Sequence, residues 1–264
     1  MASWSTRRQL IYFFIFLIVL IGGAVTTTVT FWPRASCQDG RQNQYERGVD
    51  CGGPLVGGCL SVCPNEALSV RALWTRVLSL GAGAYDLAAF VNNPNPDLRA
   101  THLSYEIKFV DQGNSLINSV QGELSLWPQE VFLIFVPDIN VGKRIPVRAY
   151  IEFVGVPRWE RSSSSSPTLL SAASLTITND KLTALPAPVL RARLTNNSSK
   201  PVSKIDVTVL LSDTEHNVLA ANATFVERLG PNETTDISFT WPRPFVLLPT
   251  FTEFYPHVAI EPIR

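Results

Sequence analysis

No charged side chain occurs between Arg8 and Arg34, and that gap constrains the chain more than any other feature. Within it runs Leu10-Ile-Tyr-Phe-Phe-Ile-Phe-Leu-Ile-Val-Leu-Ile-Gly-Gly-Ala-Val-Thr-Thr-Thr-Val-Thr-Phe31. About 20 apolar residues are what a hydrocarbon core of roughly 30 Å demands of a helix rising about 1.5 Å per residue. Trp4 and Tyr12 near one end and Trp32 at the other suit the aromatic belts of a bilayer interface. Threonine hydroxyls can bond back to helix carbonyls, so the Thr-rich end continues the span. The pattern predicts a tail over 1–9 and a transmembrane helix over 10–32. The rival is a cleaved signal peptide, whose apolar region is shorter and ends in a small-x-small site. Ala24-Val25-Thr26 is a poor site of that kind. A lipoprotein is ruled out by Arg34-Ala35-Ser36 ahead of Cys37.

Basic residues do not orient this span: Arg7 and Arg8 precede it, and Arg34, Arg41 and Arg47 follow. The cysteines do. Cys37, Cys51, Cys59 and Cys63 all lie just beyond the apolar run and none lies further on. An even cluster of this kind suits an oxidising compartment. The expected placement is a cell membrane crossed once, with a cytoplasmic N-terminus and the bulk extracytoplasmic. The bilayer is then the first expected partner.

Residues 33–66 form a Cys-rich segment of Gly and polar residues with little apolar material for a core. Such a segment needs covalent staples. Two disulfides are expected, with the three pairings of four cysteines left open. Four thiolates could instead hold zinc, but only Cys59 and Cys63 form a close pair. Asp39, Asn43, Glu46 and Asp50 offer the oxygen ligands calcium prefers, at a spacing unlike an EF-hand. The plainer expectation for these four is turn formation inside a disulfide knot, with no metal and no cofactor.

The run Asp39-Gly40-x-x-Asn43-x-x-Glu46-x-Gly48-Val49-Asp50-Cys51-Gly52-Gly53 resembles a Cys motif of surface and secreted bacterial proteins. These include membrane-anchored proteins of candidate-phylum bacteria. The usual form places a Cys almost directly after the Gly pair, whereas Pro54 to Gly58 intervene here before Cys59. The resemblance implies an extracytoplasmic setting and does not imply a catalytic activity.

From Ala67 onward, short runs alternate apolar and polar residues, as in Thr101–Val110 and Ser203–Leu211. That period belongs to strands with one buried face. Asn92–Pro96, Asp111–Asn114, Asn196–Ser199 and Gly230–Asn232 punctuate them as turns. The expected class is all-β: two tandem immunoglobulin-like antiparallel β-sandwiches over 67–157 and 169–264. A Ser-rich linker over 158–168 separates them.

An internal repeat supports the division. Leu126, Pro128 and Glu130 recur 103 positions later as Leu229, Pro231 and Glu233, and Asp111 recurs as Asp213. Asn93-Pro-Asn-Pro96 after a strand resembles a late-embryogenesis-abundant type-2-like domain. Asn196-Asn197 followed by Val209-x-Leu211-Ser-Asp213 resembles an FxLYD-type domain, with Val for Phe and Ser for Tyr. These resemblances imply antiparallel sandwiches with structural or interaction roles and bring no catalytic residues.

Charge narrows the function classes. The 22 basic and 22 acidic residues cancel, which gives no electrostatic ground for nucleic acid as a partner. With 45% hydrophobic residues the chain is too apolar for disorder. His102, His216 and His257 have no His or Cys at ligand spacing, and no nucleophile elbow, P-loop or H-E-x-x-H occurs. The expectation is therefore a non-enzymatic anchored protein whose two sandwiches project from the membrane and meet envelope proteins. A carbohydrate- or cell-wall-binding module is the alternative, with Trp127, Trp159 and Trp241 as its stacking surfaces, and a subunit of an envelope assembly is another. Asn196, Asn197, Asn222 and Asn232 begin N-x-[ST] triplets of the sort that arise by chance in Asn-rich turns.

Overall fold

A computed structural model describes residues 4–31, 36–43, 45–54, 59–81, 83–162, 175–183 and 187–260. The charge-poor run forms helix α1 (Trp4–Phe31). Thr26, Thr27 and Thr28 donate their hydroxyls to the carbonyls of Gly22, Gly23 and Ala24 at 2.7–3.0 Å, which extends the helix through its polar end. No residue of the 22-residue stretch Arg7–Thr28 is buried against the rest of the protein.

The remainder is antiparallel sheet. The first sandwich contains β1 (Ser61–Val62), β2 (Arg71–Gly81), β3 (Ala84–Asn92), β4 (Leu98–Val110), β5 (Leu116–Leu126), β6 (Val131–Asn140) and β7 (Arg148–Arg161). Its two sheets have the orders β2-β3-β6 and β1-β7-β4-β5. The second contains β8 (Leu175–Thr183), β9 (Val189–Asn196), β10 (Val202–Ser212), β11 (Val218–Leu229), β12 (Thr234–Thr240) and β13 (Phe251–Val258), in sheets β8-β9-β12 and β11-β10-β13. Mapping β2–β7 onto β8–β13 reproduces the same strand order, so the sequence repeat is a repeat of topology. Residues 158–161, expected as linker, belong to β7, where Trp159 and Glu160 are buried. Of the Ser run 162–166, Ser162 donates its amide to the Asp97 carbonyl at 2.8 Å, and 163–166 lie outside the described residues.

The repeat extends to single hydrogen bonds. Asn93 and Asn196 are fully buried at equivalent turns. Asn93 Nδ2 donates to the carbonyls of Leu98 and Trp127, both at 2.8 Å. Asn196 Nδ2 donates to Lys200 and Gly230, at 2.8 and 2.9 Å. Each Oδ1 accepts an amide two residues on, from Asn95 or Ser198. Each side chain thus pins one turn to another where strands leave the sheets and their backbone groups lose ladder partners. At the opposite end Asp111 and Asp213 cap matching hairpins, with Asn114 and His216 in the left-handed region at φ 60° and 61°.

Each sandwich has its own core. Leu87, Leu103, Ile107, Phe109 and Leu126 belong to the first, and Leu190, Leu194, Val207, Leu211 and Phe239 to the second. A third cluster joins the two: Leu78, Ala88, Phe90 and Leu133 of the first sandwich meet Leu210 and Ala221 of the second. The sandwiches therefore lie face to face as four stacked sheets. The cause is local. In β3 the apolar run Leu87–Val91 is uninterrupted, so Leu87, Ala89 and Val91 fill the first core while Ala88 and Phe90 face the seam. In β10, Val207, Val209 and Leu211 point inward and Leu210 outward. A strand apolar on both faces needs cover on both.

Candidate functional site

The Cys-rich segment is the most constrained non-sheet element. Cys37 bonds to Cys59 and Cys51 to Cys63. The pairs interleave, so every loop of the segment is closed by one bridge or the other. β1 then adds the segment to the sheet edge through Ser61↔Glu160 and Val62↔Trp159. Arg161 donates its amide to the Leu60 carbonyl at 3.0 Å and its guanidinium to that of Gly53 at 2.8 Å. Gly52 turns back at φ +77°, where a Cβ would sit 2.9 Å from Cβ of Arg47. Beneath this cap the pair Arg99–Glu160 is buried at 2.8 Å, with 4% of each side chain exposed. The segment is a collar fastened to one end of the first sandwich.

Asp39, Asn43, Glu46 and Asp50 all lie within the collar, and they are occupied in bracing it. Asp39 Oδ2 accepts from Asn43 Nδ2 at 2.7 Å. Asp50 accepts the amides of Asp39 and Gly40, both at 2.9 Å. Glu46 Oε2 accepts the Asn43 amide at 3.1 Å. The Asn43 amide holds the Asp39 carboxyl below the usual carboxylate range. Asn43 Oδ1 is left buried without a partner. Cys37, Glu46 and Cys59 lie close enough to suggest a metal site, but the two sulfurs are bonded to each other and neither is a thiolate.

The histidines do not gather. His102 sits in β4 beside Glu123 at 3.1 Å, and both side chains are exposed. His216 occupies a hairpin tip and stacks on Phe251 at 4.4 Å. His257 lies on edge strand β13 yet is 4% exposed, because the other sandwich covers it. Its Nδ1 faces Glu130 Oε1 at 2.9 Å across the seam. Trp127 donates its indole N–H across the same seam to the Val258 carbonyl at 2.8 Å. Trp127, Trp159 and Trp241 are buried and form no exposed shelf.

Three clefts among the described residues are lined by both sandwiches; one, of about 420 Å³, lies beside Trp74, Phe90 and Tyr255, and the other two are the more distinctive. The first of those two, of about 380 Å³, lies between β4–β6 and β10–β13 and includes Tyr105, Phe132, Asp206 and His257. Burial raises the Asp206 carboxyl above its ordinary range. The other, of about 520 Å³, lies at the end away from the collar, between the β2–β3 hairpin and the β12–β13 loop. Neither was legible from spacing, because both are made by the docking of the two sandwiches.

No protein-family model matches the chain, and no match is found among curated proteins. Among solved structures, a red sea bream transglutaminase matches 75% of this chain and 32% of its own, at 10% identity and a TM-score of 0.22. An 11S allergen from Cocos nucifera matches 72% of this chain and 89% of its own, at 9% identity and a TM-score of 0.13. Likeness that slight carries no functional argument.

Proposed function

We propose that this is a non-enzymatic, single-pass membrane protein with a cytoplasmic N-terminus and an extracytoplasmic double sandwich. The observation that carries this is the pairing of two neighbours in sequence. Helix α1 leaves the whole of Arg7–Thr28 without cover, and the collar that follows is closed by two disulfides. Uncovered apolar helix of that length finds its cover in lipid. Disulfides persist in an oxidising compartment, so the collar and everything after it sit outside. In this reading the collar holds the sandwiches at a fixed attitude to the bilayer, and the seam makes them one rigid module for structural or protein-interaction roles at the cell envelope.

The test is protease and thiol mapping on intact cells. The reading expects added protease to remove the β domains while α1 stays with the membrane. It also expects Cys37, Cys51, Cys59 and Cys63 to take up maleimide only after reduction. Free thiols in the untreated protein, or a mature chain lacking α1, would overturn it.

A further inference from the structure

We propose that the cleft remote from the collar binds a single long acyl chain whose anionic head pairs with Arg243. Its position follows from strand direction. β7 starts near the β6–β7 loop and ends at Arg161 beside the collar, so its first residue and the neighbouring loops lie roughly 40 Å away at about 3.3 Å per residue. The β2–β3 hairpin and the β12–β13 loop share that remote end. There Leu80, Leu219, Trp241, Phe245 and Leu247 wall a cleft of about 520 Å³. That size lies within the usual range for small-molecule sites, roughly 300–1,000 Å³.

The walls select the occupant. Pro242 and Pro244 have no N–H, and the Gly81 amide is taken by the Ser79 hydroxyl at 3.3 Å. The Trp241 indole donates to the Ala221 carbonyl at 3.1 Å, and its backbone amide to the Pro188 carbonyl at 3.0 Å. The side chains that wall the cleft are apolar apart from Ser79 and Arg243, so most of what an occupant touches is hydrocarbon, as an acyl chain requires. The lip is apolar as well: Val246 is fully exposed, and Leu247 and Leu248 are 57% and 72% exposed.

One charge lines the cleft, and it is a cation. Arg243 lies across Gly81, where φ is +79° and any Cβ would collide with the guanidinium. No acidic residue lines the cleft, and Arg243 makes no ion pair among the described residues. An apolar slot with one unpaired guanidinium at its edge suits a carboxylate or phosphate on an acyl tail.

The test uses the full chain in phosphatidylcholine nanodiscs with a diazirine-bearing hexadecanoate, and maps the adducts by peptide. We expect adducts on peptides containing residues 79–81 and 241–247, displaced by unlabelled hexadecanoate. Hexadecanol should compete about tenfold less well, and Arg243→Gln should weaken labelling about tenfold. Leu247→Asp, at an exposed position, should abolish it. Adducts confined to α1, or cleft adducts indifferent to both substitutions, would refute the proposal. So would capture of the nanodisc-held chain by added vesicles without competition from hexadecanoate, since the lip would then meet a bilayer. Adducts on α1 report the anchor and adducts at the cleft report the ligand, so the two readings fail separately.

Discussion

Asn93 and Asn196 are the residues on which the repeat turns. Asparagine is common in turns because it tolerates unusual backbone angles and bonds locally, so Asn92-Asn93 and Asn196-Asn197 read as ordinary turn material. Nothing in the sequence marks which Asn of each pair is buried. The structure does: the turns are bolted by long-range bonds from Asn93 to Trp127 and from Asn196 to Gly230. Asn93→Ala should therefore strand the buried carbonyls of Leu98 and Trp127, at about 1–3 kcal/mol for each unsatisfied group. The expected outcome is a fall of about 3 kcal/mol in unfolding free energy, read from the urea midpoint. Asn222→Ala is the matching control. Asn222 also donates to a carbonyl, that of Thr240, but at an exposed site where water can substitute. Its loss should stay within about 0.5 kcal/mol.

Among the elements, the collar and β3 show two different reasons for partial legibility. The collar's need for disulfides was readable from composition, since Gly and polar residues cannot bury a core. The pairing was not, because it depends on how the chain folds back onto Glu160 and Trp159 through β1. The four oxygen-bearing residues read as turn braces more readily than as ligands, and their partners in the structure tell the two apart. In β3 the alternating pattern gives way to Leu87-Ala-Ala-Phe-Val91, a run that fits a strand without saying what covers its second face. The bridges close loops of 22 and 12 residues in sequence separation, so each constrains the unfolded collar by about 3 kcal/mol. Mild reduction should release the collar while the sandwiches, which contain no cysteine, stay folded. Trypsin is then expected to cut at Arg41 and Arg47 only after reduction, with the β domains recovered intact. Resistance to trypsin both with and without reductant would show that β1 and the loop hydrogen bonds hold the collar unaided.

At the scale of the molecule, the decisive feature is the seam. Tandem sandwiches joined by a Ser-rich stretch would ordinarily unfold as separate units, because contacts across a flexible linker are few. Here Phe90 stacks edge-on against Tyr255 at 4.8 Å and Trp74 at 4.9 Å, while Leu210 and Ala221 fill the opposite wall. The polar rim adds Trp127 to Val258, His257 to Glu130, and the Ile260 amide to the Ser125 hydroxyl at 3.1 Å. Burying Phe90 and Leu210 is worth about 1.5–3 kcal/mol each, enough to couple two domains whose own stabilities are only several kcal/mol. The intact chain should therefore show one calorimetric transition. Phe90→Ala with Leu210→Ala removes a large apolar seam side chain from each sandwich and leaves both sandwich cores untouched, since neither residue belongs to them. Calorimetry of the double variant should resolve two transitions. If the wild-type protein already shows two, the sandwiches are mechanically independent. The seam clefts would then be opened by domain motion, and the collar would orient the first sandwich alone.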